Sequence, residues 1–288
     1  MELTMKPNRS SGLLFTFCGL DGCGKTTMIR RLKEALEERG LPVMLTKQPT
    51  DFVRKSAIFR TYMDTPEHGE YDYRSLSLLA ASDRVQHSNR VIAPALAAGK
   101  IVISDRYFYS CLANLHARGY LRDRWIYEIA RDIPQPDAAF FLDVDVDTAI
   151  RRVRSREEER ERYIDVELQH RLRQEYRGLA AGRNGVLVPS DRAEDETFRR
   201  VWGAVENVLA EKREQKAGNG GRERKQGGRY AWQVGYRGRK AGVRSLLRGK
   251  SNSPSAGRPG VGYYPAVRQQ RHSDEGAVLP HRPAGGTV

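Results

Sequence analysis

The chain carries the stretch Gly19-Leu20-Asp21-Gly22-Cys23-Gly24-Lys25-Thr26, which fits the phosphate-binding pattern G-x4-G-K-[S/T]. An apolar run at residues 13–18 precedes it and predicts a buried strand. Behind it, apolar residues recur at helical spacing, which predicts a helix that ends near Gly40. In the order strand, glycine loop, helix, backbone N–H groups and the helix N-terminus face phosphate oxygens. This order favours a nucleotide-phosphate site over a glycine turn between two core elements.

The residues of this loop have separate expected roles. Lys25 is expected to reach the outer phosphates, and the Thr26 hydroxyl is expected to bind Mg²⁺. Cys23 is either a small residue that fills space or an oxidation-sensitive thiol. The residues expected to contact the nucleotide are Gly19, Leu20, Asp21, Gly22, Cys23, Gly24, Lys25, Thr26 and Thr27.

Charge divides the 288-residue chain into two parts. The formal net charge is +14, but residues 211–288 hold 17 Lys and Arg against 5 Asp and Glu, so residues 1–210 are nearly neutral. We therefore expect a folded domain at residues 1–213 and a disordered, basic Gly/Arg-rich tail at residues 214–288. The tail either binds nucleic acid through charge and aromatic stacking, or is a solvated extension or an out-of-frame readthrough; nucleic-acid binding is the less favoured interpretation.

Cysteine usage and hydropathy bear on location. Cys18, Cys23 and Cys111 show no metal-binding spacing and cannot all pair, which fits a reducing compartment. No segment approaches the length of a membrane span. We expect a cytoplasmic protein without a membrane partner.

Short apolar runs without polar alternation are separated by helical patterns. They predict an α/β fold of the P-loop NTPase type, with a parallel sheet covered by helices on both faces. Ligands bind at the carboxyl ends of the strands in such sheets. Residues 19–26, 48–51 and 105–107 follow strands, so we expect them to line one crevice. The predicted strands are residues 13–18, 42–46, 101–104, 138–142 and 186–188.

Arginine side chains are candidates for holding an anionic acceptor, because the guanidinium group binds phosphate in a bidentate manner. Arg106 directly follows a predicted strand, and Arg84 lies in a helical segment that tends to be buried. Structural pairing, for example with Asp83 or Asp105, is the alternative. Further arginines between residues 151 and 162 form either a solvated helix face or a mobile lid that excludes water.

Together these motifs resemble the thymidylate kinase family of nucleoside-monophosphate kinases over roughly residues 11–210. The resemblance implies that Asp21 orients the acceptor and the metal, that Arg106 holds the acceptor phosphate and that Arg84 reads the base. The stretches that carry it are residues 19–27, Ser82-Asp83-Arg84, Asp105-Arg106-Tyr107-Phe108-Tyr109-Ser110, and Asp143-Val144 leading into Arg152 and Arg156.

Members of this family place the arginine for the transferred phosphoryl group either inside the P-loop or in the lid. Gly22 matches the members that have glycine in the loop, so the resemblance implies a lid arginine. Arg156 and Arg162 are the candidates. Such arginines contribute about 10³-fold or more to kcat.

The expected base pocket departs from the family pattern. Ala80 stands where the family usually has an aromatic residue that stacks on thymine, and Lys47-Gln48-Pro49-Thr50 replaces the common Arg-Glu-Pro-Gly. Cys111 and Asn114 stand where polar and aromatic base contacts are usual. The alternative stacking residues are Phe52 and Tyr107.

We therefore expect a phosphotransferase that moves the γ-phosphoryl group of ATP, with Mg²⁺, to a nucleoside monophosphate, with dTMP as the first candidate. The alternatives are a kinase of this family with another acceptor, and a nucleotide-binding regulator or nucleic-acid-associated protein without turnover. The helical segment at residues 74–98 is the candidate surface for a homodimer. The residues expected at the acceptor are Arg84, Asp105, Arg106 and Tyr107.

Overall fold

The computed structural model describes residues 2–68 and 70–226. Its central sheet has five parallel strands, which confirms the predicted sheet and each predicted strand. They are β1 (Leu13–Gly19), β2 (Val43–Lys47), β3 (Ile101–Asp105), β4 (Ala138–Asp143) and β5 (Gly185–Pro189). In space the strands follow the order β2-β3-β1-β4-β5.

Helices surround the sheet. A π-helical turn at Ser88–Ile92 and a 3₁₀ turn at Glu157–Glu159 accompany the α-helices. The α-helices of the described residues are α1 (Lys25–Glu37), α2 (Asp51–Arg54), α3 (Ala57–Asp64), α4 (Tyr73–His87), α5 (Ala93–Ala97), α6 (Phe108–Ala117), α7 (Trp125–Ala130), α8 (Val146–Arg154), α9 (Val166–Ala180) and α10 (Glu194–Gln226).

The central strand β1 shows how the layers pack. All seven of its residues are buried. Successive side chains of a strand point to opposite faces, so this burial means that helices cover both faces of the sheet. In the interior, Phe17 of β1 stacks on Phe140 of β4 with ring centroids 4.9 Å apart. The predicted P-loop type of α/β fold is confirmed.

Sheet register sets the position of the crevice. Phe17 of β1 is level with Asp105 of β3, and Gly19 of β1 is level with Leu142 of β4. The loops after β1 and β3 therefore begin side by side at the same edge of the sheet. In the sheet, β2 and β3 lie on one side of β1, and β4 and β5 lie on the other. Sheets of this kind bind their ligands at such a switch point.

The helical segment predicted at residues 74–98, in which Pro94 favours a kink or a break, is divided in the structure. It consists of α4, the π-helical turn and α5. Pro94 lies in the first turn of α5, where its missing N–H leaves no helical hydrogen bond unmade. A single helix through residue 94 would instead have placed the proline ring against the preceding turn.

The last helix extends past the predicted domain boundary. α10 runs to Gln226, beyond residue 213. The remainder of the predicted tail lies outside the described residues, and the domain boundary at residue 213 stays a prediction. None of the helices among the described residues has the length and apolar character needed to cross a bilayer.

Candidate active site

The P-loop joins β1 to α1 through three glycines with positive φ. Gly19, Gly22 and Gly24 have φ of 138°, 82° and 93°, values that residues with a Cβ rarely adopt. Gly24 precedes α1 without a side-chain cap, and the first turn of α1 holds no acidic residue. The N–H groups and the positive end of the α1 dipole are therefore available to an anion.

Gly22 is also enclosed by α8. A Cβ at this position would lie 2.2 Å from the carbonyl oxygen of Ala149. A longer side chain at residue 22 is therefore excluded unless α8 moves. The loop therefore has no room for an arginine at this position.

The P-loop borders a cavity of about 750 Å³ at the carboxyl edge of the sheet. Every predicted nucleotide contact in residues 19–27 lines this cavity except Cys23. Cys23 is fully buried behind the loop, with its Sγ 3.6 Å from Lys25 Nζ. Its position fits the interpretation as a residue that fills space.

Lys25 begins α1 and turns its ammonium group toward the loop. Its Nζ donates to the carbonyl oxygens of Leu20 at 2.7 Å and Gly19 at 3.2 Å, and lies 4.0 Å from the Asp21 carboxylate. Lys25 and its neighbour Thr26 both line the cavity. The loop therefore presents an ammonium group and a hydroxyl group together.

Arg106 follows β3 with an uncommon backbone conformation, φ 65°. Its N–H donates to the carbonyl oxygen of Phe17 at 2.8 Å, and its own carbonyl oxygen accepts a hydrogen bond from Ser104 Oγ at 2.7 Å. These bonds hold the residue in a strained conformation, as is common at functional sites. The Arg106 side chain lines the cavity beside the P-loop.

The guanidinium group of Arg106 connects the P-loop to α9. Its Nη2 pairs with Asp21, and its Nη1 donates to the Gly19 carbonyl oxygen and the Tyr176 hydroxyl, both at 3.4 Å. Tyr176 in turn donates to Ser110 of α6 at 3.2 Å. Burial raises the pKa of Tyr176 to about 12, although Arg106 lowers it, so the hydroxyl keeps its proton. Sequence reasoning missed Tyr176.

Asp21 is the charged centre of the site. Its carboxylate pairs with Arg106 and with Nη2 of Arg162, which lies 3.0 Å away, and its outer edge is open to the cavity. Burial raises the pKa of Asp21, but Arg106, Lys25 and Arg162 together lower it by more. The pKa of this carboxyl group therefore lies far below its usual range. Burial lowers the pKa of Arg106, but Asp21 more than offsets this. Both groups therefore stay charged.

The segment between α8 and α9 carries the two predicted lid arginines, and their surroundings differ. Arg162 is 26% exposed and pairs with both Asp21 of the P-loop and Glu159, the latter at 3.3 Å. Arg156 is 52% exposed and pairs with Glu159 at 3.3 Å. Both line the cavity. Of the two, Arg162 is the one that contacts the P-loop.

Helix α4 forms a further wall of the cavity. Arg84 is only 3% exposed, and it donates to the carbonyl oxygens of Ala80 at 2.9 Å and Tyr107 at 3.4 Å. It does not pair with Asp83, which accepts hydrogen bonds from the N–H, at 2.8 Å, and the hydroxyl of Thr50. Arg84 and Ala80 both line the cavity.

Helix α6 presents Cys111 and Asn114 to the cavity, followed by Arg118 just past its end. Sequence reasoning missed Arg118, although its spacing of four residues from Asn114 predicts the same helix face. Tyr73, the first residue of α4, also lines the cavity and was not predicted.

The two aromatic residues proposed for stacking do not line this cavity. Tyr107 is fully buried, and its hydroxyl donates to the carbonyl oxygen of Pro134 at 2.7 Å. Phe52 is 73% exposed on α2 and lies outside the lining. The expected substrate contact of Tyr107 is therefore corrected: its ring belongs to the core, and its carbonyl oxygen orients Arg84.

The ends of β2 and β3 hold the remaining predicted residues. Asp105 lines the cavity and pairs with Lys47 at 3.3 Å. Gln48 is fully buried, and its Nε2 lies 3.1 Å from Nδ1 of His87 in α4. Burial lowers the pKa of His87, which favours the neutral ring that can accept this bond. The loop after β2 is thereby tied to the helix that carries Arg84.

The site offers few ligands to a metal ion. Across residues 2–68 and 70–226, no group of three His, Cys, Asp or Glu side chains is placed to hold one. Asp21 and Thr26 line the cavity and supply oxygen atoms. Mg²⁺ usually binds through one or two protein oxygens together with substrate phosphates and waters, so these two residues fit it.

The sheet order, the glycine loop with Lys25 and the arginines that share its cavity define a P-loop protein of the nucleotide-kinase class. Residues 17–200 match the family model described as thymidylate kinase. The chain belongs to the thymidylate kinase family, which confirms the resemblance drawn from its motifs.

Relatives with this name align over most of their own lengths. The probable thymidylate kinase of Thermococcus kodakarensis is 42% identical over 199 residues, which cover 67% of this chain and 97% of the relative. The thymidylate kinase of Geobacillus thermodenitrificans is 36% identical over 203 residues, covering 68% and 90%. That of Bifidobacterium longum is 33% identical over 206 residues, covering 70% and 98%.

Replacing Gly22 with alanine tests the enclosed loop. We expect Gly22→Ala to lower the free energy of unfolding by about 1–3 kcal/mol and to weaken ATP binding, because a positive φ is combined with the close approach of Ala149. Chemical denaturation and nucleotide titration measure the two effects.

Two matched glycines separate the effect of backbone strain from the effect of close packing. Gly40 has a φ of 70° but open space where the methyl group of an alanine would lie, so Gly40→Ala carries the backbone strain alone. Gly203 lies in α10 with open space, so Gly203→Ala should be neutral or slightly stabilising. A Gly22→Ala protein that binds ATP like the wild type would contradict the close packing of α8.

Proposed function

We propose that the chain transfers the γ-phosphoryl group of ATP to dTMP, forming ADP and dTDP. Family membership supports this reaction, as do relatives named thymidylate kinase. The structural observation that carries it is the bridge of Asp21 to Arg106 and Arg162. It brings the donor loop, an acceptor arginine and a lid arginine into one cavity.

Residues 19–27 form the donor side. The N–H groups of the loop and the α1 N-terminus bind the ATP phosphates, and Lys25 neutralises the outer ones. Thr26 and Asp21 are the residues that would hold Mg²⁺. When bound there, Mg²⁺ neutralises charge on the donor phosphates.

Arg106 and Arg84 form the acceptor side. Arg106 binds the acceptor phosphate, held in place by its strained backbone and by Asp21. Arg84 reads the base from a buried position on α4. Asp105 stays a predicted acceptor residue beside Arg106. The acceptor phosphate is an ionised nucleophile, so these residues need only bind, orient and exclude water.

Arg162 is the lid residue that neutralises the transferred phosphoryl group in this proposal. Its contact with Asp21 brings its guanidinium group to the P-loop, whereas Arg156 lies farther into solvent against Glu159. An arginine in this role stabilises charge that develops in the transition state. Its removal therefore acts mainly on kcat.

Other expectations stay predictions. A cytoplasmic location and a homodimer through residues 74–98 await measurement. Most of the tail, including Tyr230, Trp232 and Tyr236, lies outside the described residues, so nucleic-acid binding stays the less favoured of its two interpretations.

An ADP-release screen tests the reaction. The purified chain is given ATP, Mg²⁺ and one of dTMP, dUMP, AMP, GMP or CMP, with the Lys25→Ala variant as the inactive control. We expect the highest kcat/KM with dTMP. ADP release that prefers another acceptor, or that ignores the acceptor, would refute the proposed substrate.

Arg106→Ala tests the acceptor side. We expect the KM for dTMP to rise about 10- to 100-fold, since a charged hydrogen bond is lost. The KM for ATP should change less than about twofold, because Lys25 and the loop remain. Initial rates measured over a grid of both substrates separate the two constants; an equal rise in both would assign Arg106 to general structure.

Arg162→Ala and Arg156→Ala form a matched pair on the lid. We expect Arg162→Ala to lower kcat about 10³-fold, as for other arginines that neutralise a transferred phosphoryl group. Arg156→Ala should lower kcat by less than about tenfold. Single-turnover rates check the ranking, and the reverse ranking would move the role to Arg156.

A further inference from the structure

Two arginines line the acceptor part of the cavity without a carboxylate partner. Arg84 on α4 donates to backbone carbonyl oxygens, and Arg118 after α6 donates through Nη1 to the carbonyl oxygen and the side-chain Oδ1 of Asn114, at 3.4 and 2.9 Å. Within the part of the chain that the structure describes, neither forms an ion pair. A partly buried positive charge that lines a cavity is unfavourable unless a group with negative or partial negative charge lies against it.

Arg118 is held in one orientation by its neighbours. Its guanidinium carbon lies 4.0 Å from the centroid of the Tyr73 ring and 5.9 Å from that of the Tyr62 ring. Both rings therefore lie within cation–π distance of the guanidinium group, whose N–H donors lie in its own plane. Among the described residues both of its hydrogen bonds come from Nη1, so Nε and Nη2 keep their donors for a ligand.

A nearby arginine shows what a purely structural stack looks like. Arg74 lies over the Tyr120 ring, 4.4 Å from its centroid. Asp123 binds its guanidinium group in a bidentate manner and accepts hydrogen bonds from Nε at 2.8 Å and from Nη2 at 3.2 Å. Arg118 has the same kind of aromatic support but only a neutral amide as partner, and it lines the cavity whereas Arg74 does not.

The residues between Arg84 and Arg118 are small. Ala80 and Cys111 are both nearly buried, and both line the cavity. Their short side chains leave cavity volume that a larger side chain at either position would fill. Arginine has N–H donors and no acceptor, so it favours a ring edge with carbonyl oxygens.

We propose that Arg118 is a second base-reading residue, which donates a hydrogen bond to a carbonyl oxygen of the acceptor base while Arg84 contacts the base from α4. The ligand class is a pyrimidine-2,4-dione nucleotide. This inference rests on the proposed function, and it adds a specificity-determining residue on α6. Tyr73 and Asn114 are positioning residues for Arg118.

A ligand without a base separates base reading from general electrostatics. Dissociation constants of dTMP and of 2-deoxyribose 5-phosphate are measured by ligand-observed NMR for the wild type, Arg118→Met and Arg118→Lys. We expect Arg118→Met to weaken dTMP binding about 10- to 100-fold, because a charged donor is lost. Binding of 2-deoxyribose 5-phosphate should stay within about twofold. Arg118→Lys keeps the charge and most of the aliphatic stem, so its dissociation constant for dTMP should lie between those of the wild type and Arg118→Met.

Arg39→Met is the matched control for loss of an arginine–aromatic stack. Arg39 lies over the Trp202 ring, 4.2 Å from its centroid, and does not line the cavity. It should bind both ligands like the wild type. Equal weakening of both ligands in Arg118→Met, or no weakening of dTMP, would overturn the inference.

Turnover distinguishes this inference from the proposed function. Wild-type protein that binds dTMP but releases no ADP with it refutes the kinase reaction, while the NMR comparison still decides the role of Arg118. Wild-type protein that does not bind dTMP refutes both. Wild-type turnover of dTMP combined with unchanged dTMP binding in Arg118→Met refutes the role of Arg118 alone.

Discussion

The carboxylate of Asp21 connects the charged side chains of the candidate active site. Asp21 lies in the loop after the central strand, and it pairs with an arginine from the end of β3 and an arginine from the lid segment, with Lys25 close by. Three like charges would repel one another around the cavity without it. Because these cations keep Asp21 ionised, the arrangement persists over the pH range in which most carboxylates titrate.

The parts of the site that follow from local pattern were predictable from the sequence. The apolar runs before residues 19 and 105 define strands, and the parallel sheet brings their carboxyl ends to one edge. Arg106 was therefore placed correctly beside the P-loop. Glycine spacing likewise predicted the turn into α1, since positive φ at Gly22 and Gly24 is what the phosphate loop requires.

The features of the site that depend on tertiary packing could not be predicted from the sequence. Tyr107 follows Arg106 directly, yet one side chain enters the core and the other enters the cavity. Arg106 also has a positive φ, which no sequence pattern reveals in a residue other than glycine. Tyr176 and Arg118 were missed because helical spacing gives a face, whereas the packing of α6 against α4 and α9 decides what that face meets.

Helix α9 has a mechanical consequence. It begins at Val166, shortly after Arg162, and its C-terminal half carries Tyr176, whose hydroxyl lies 3.4 Å from Nη1 of Arg106. If the segment that carries Arg162 is the proposed lid and α9 moves with it as a rigid element, Tyr176 is displaced as well. Binding of one nucleotide then changes the affinity for the other, and thermodynamic reciprocity makes that influence equal in both directions.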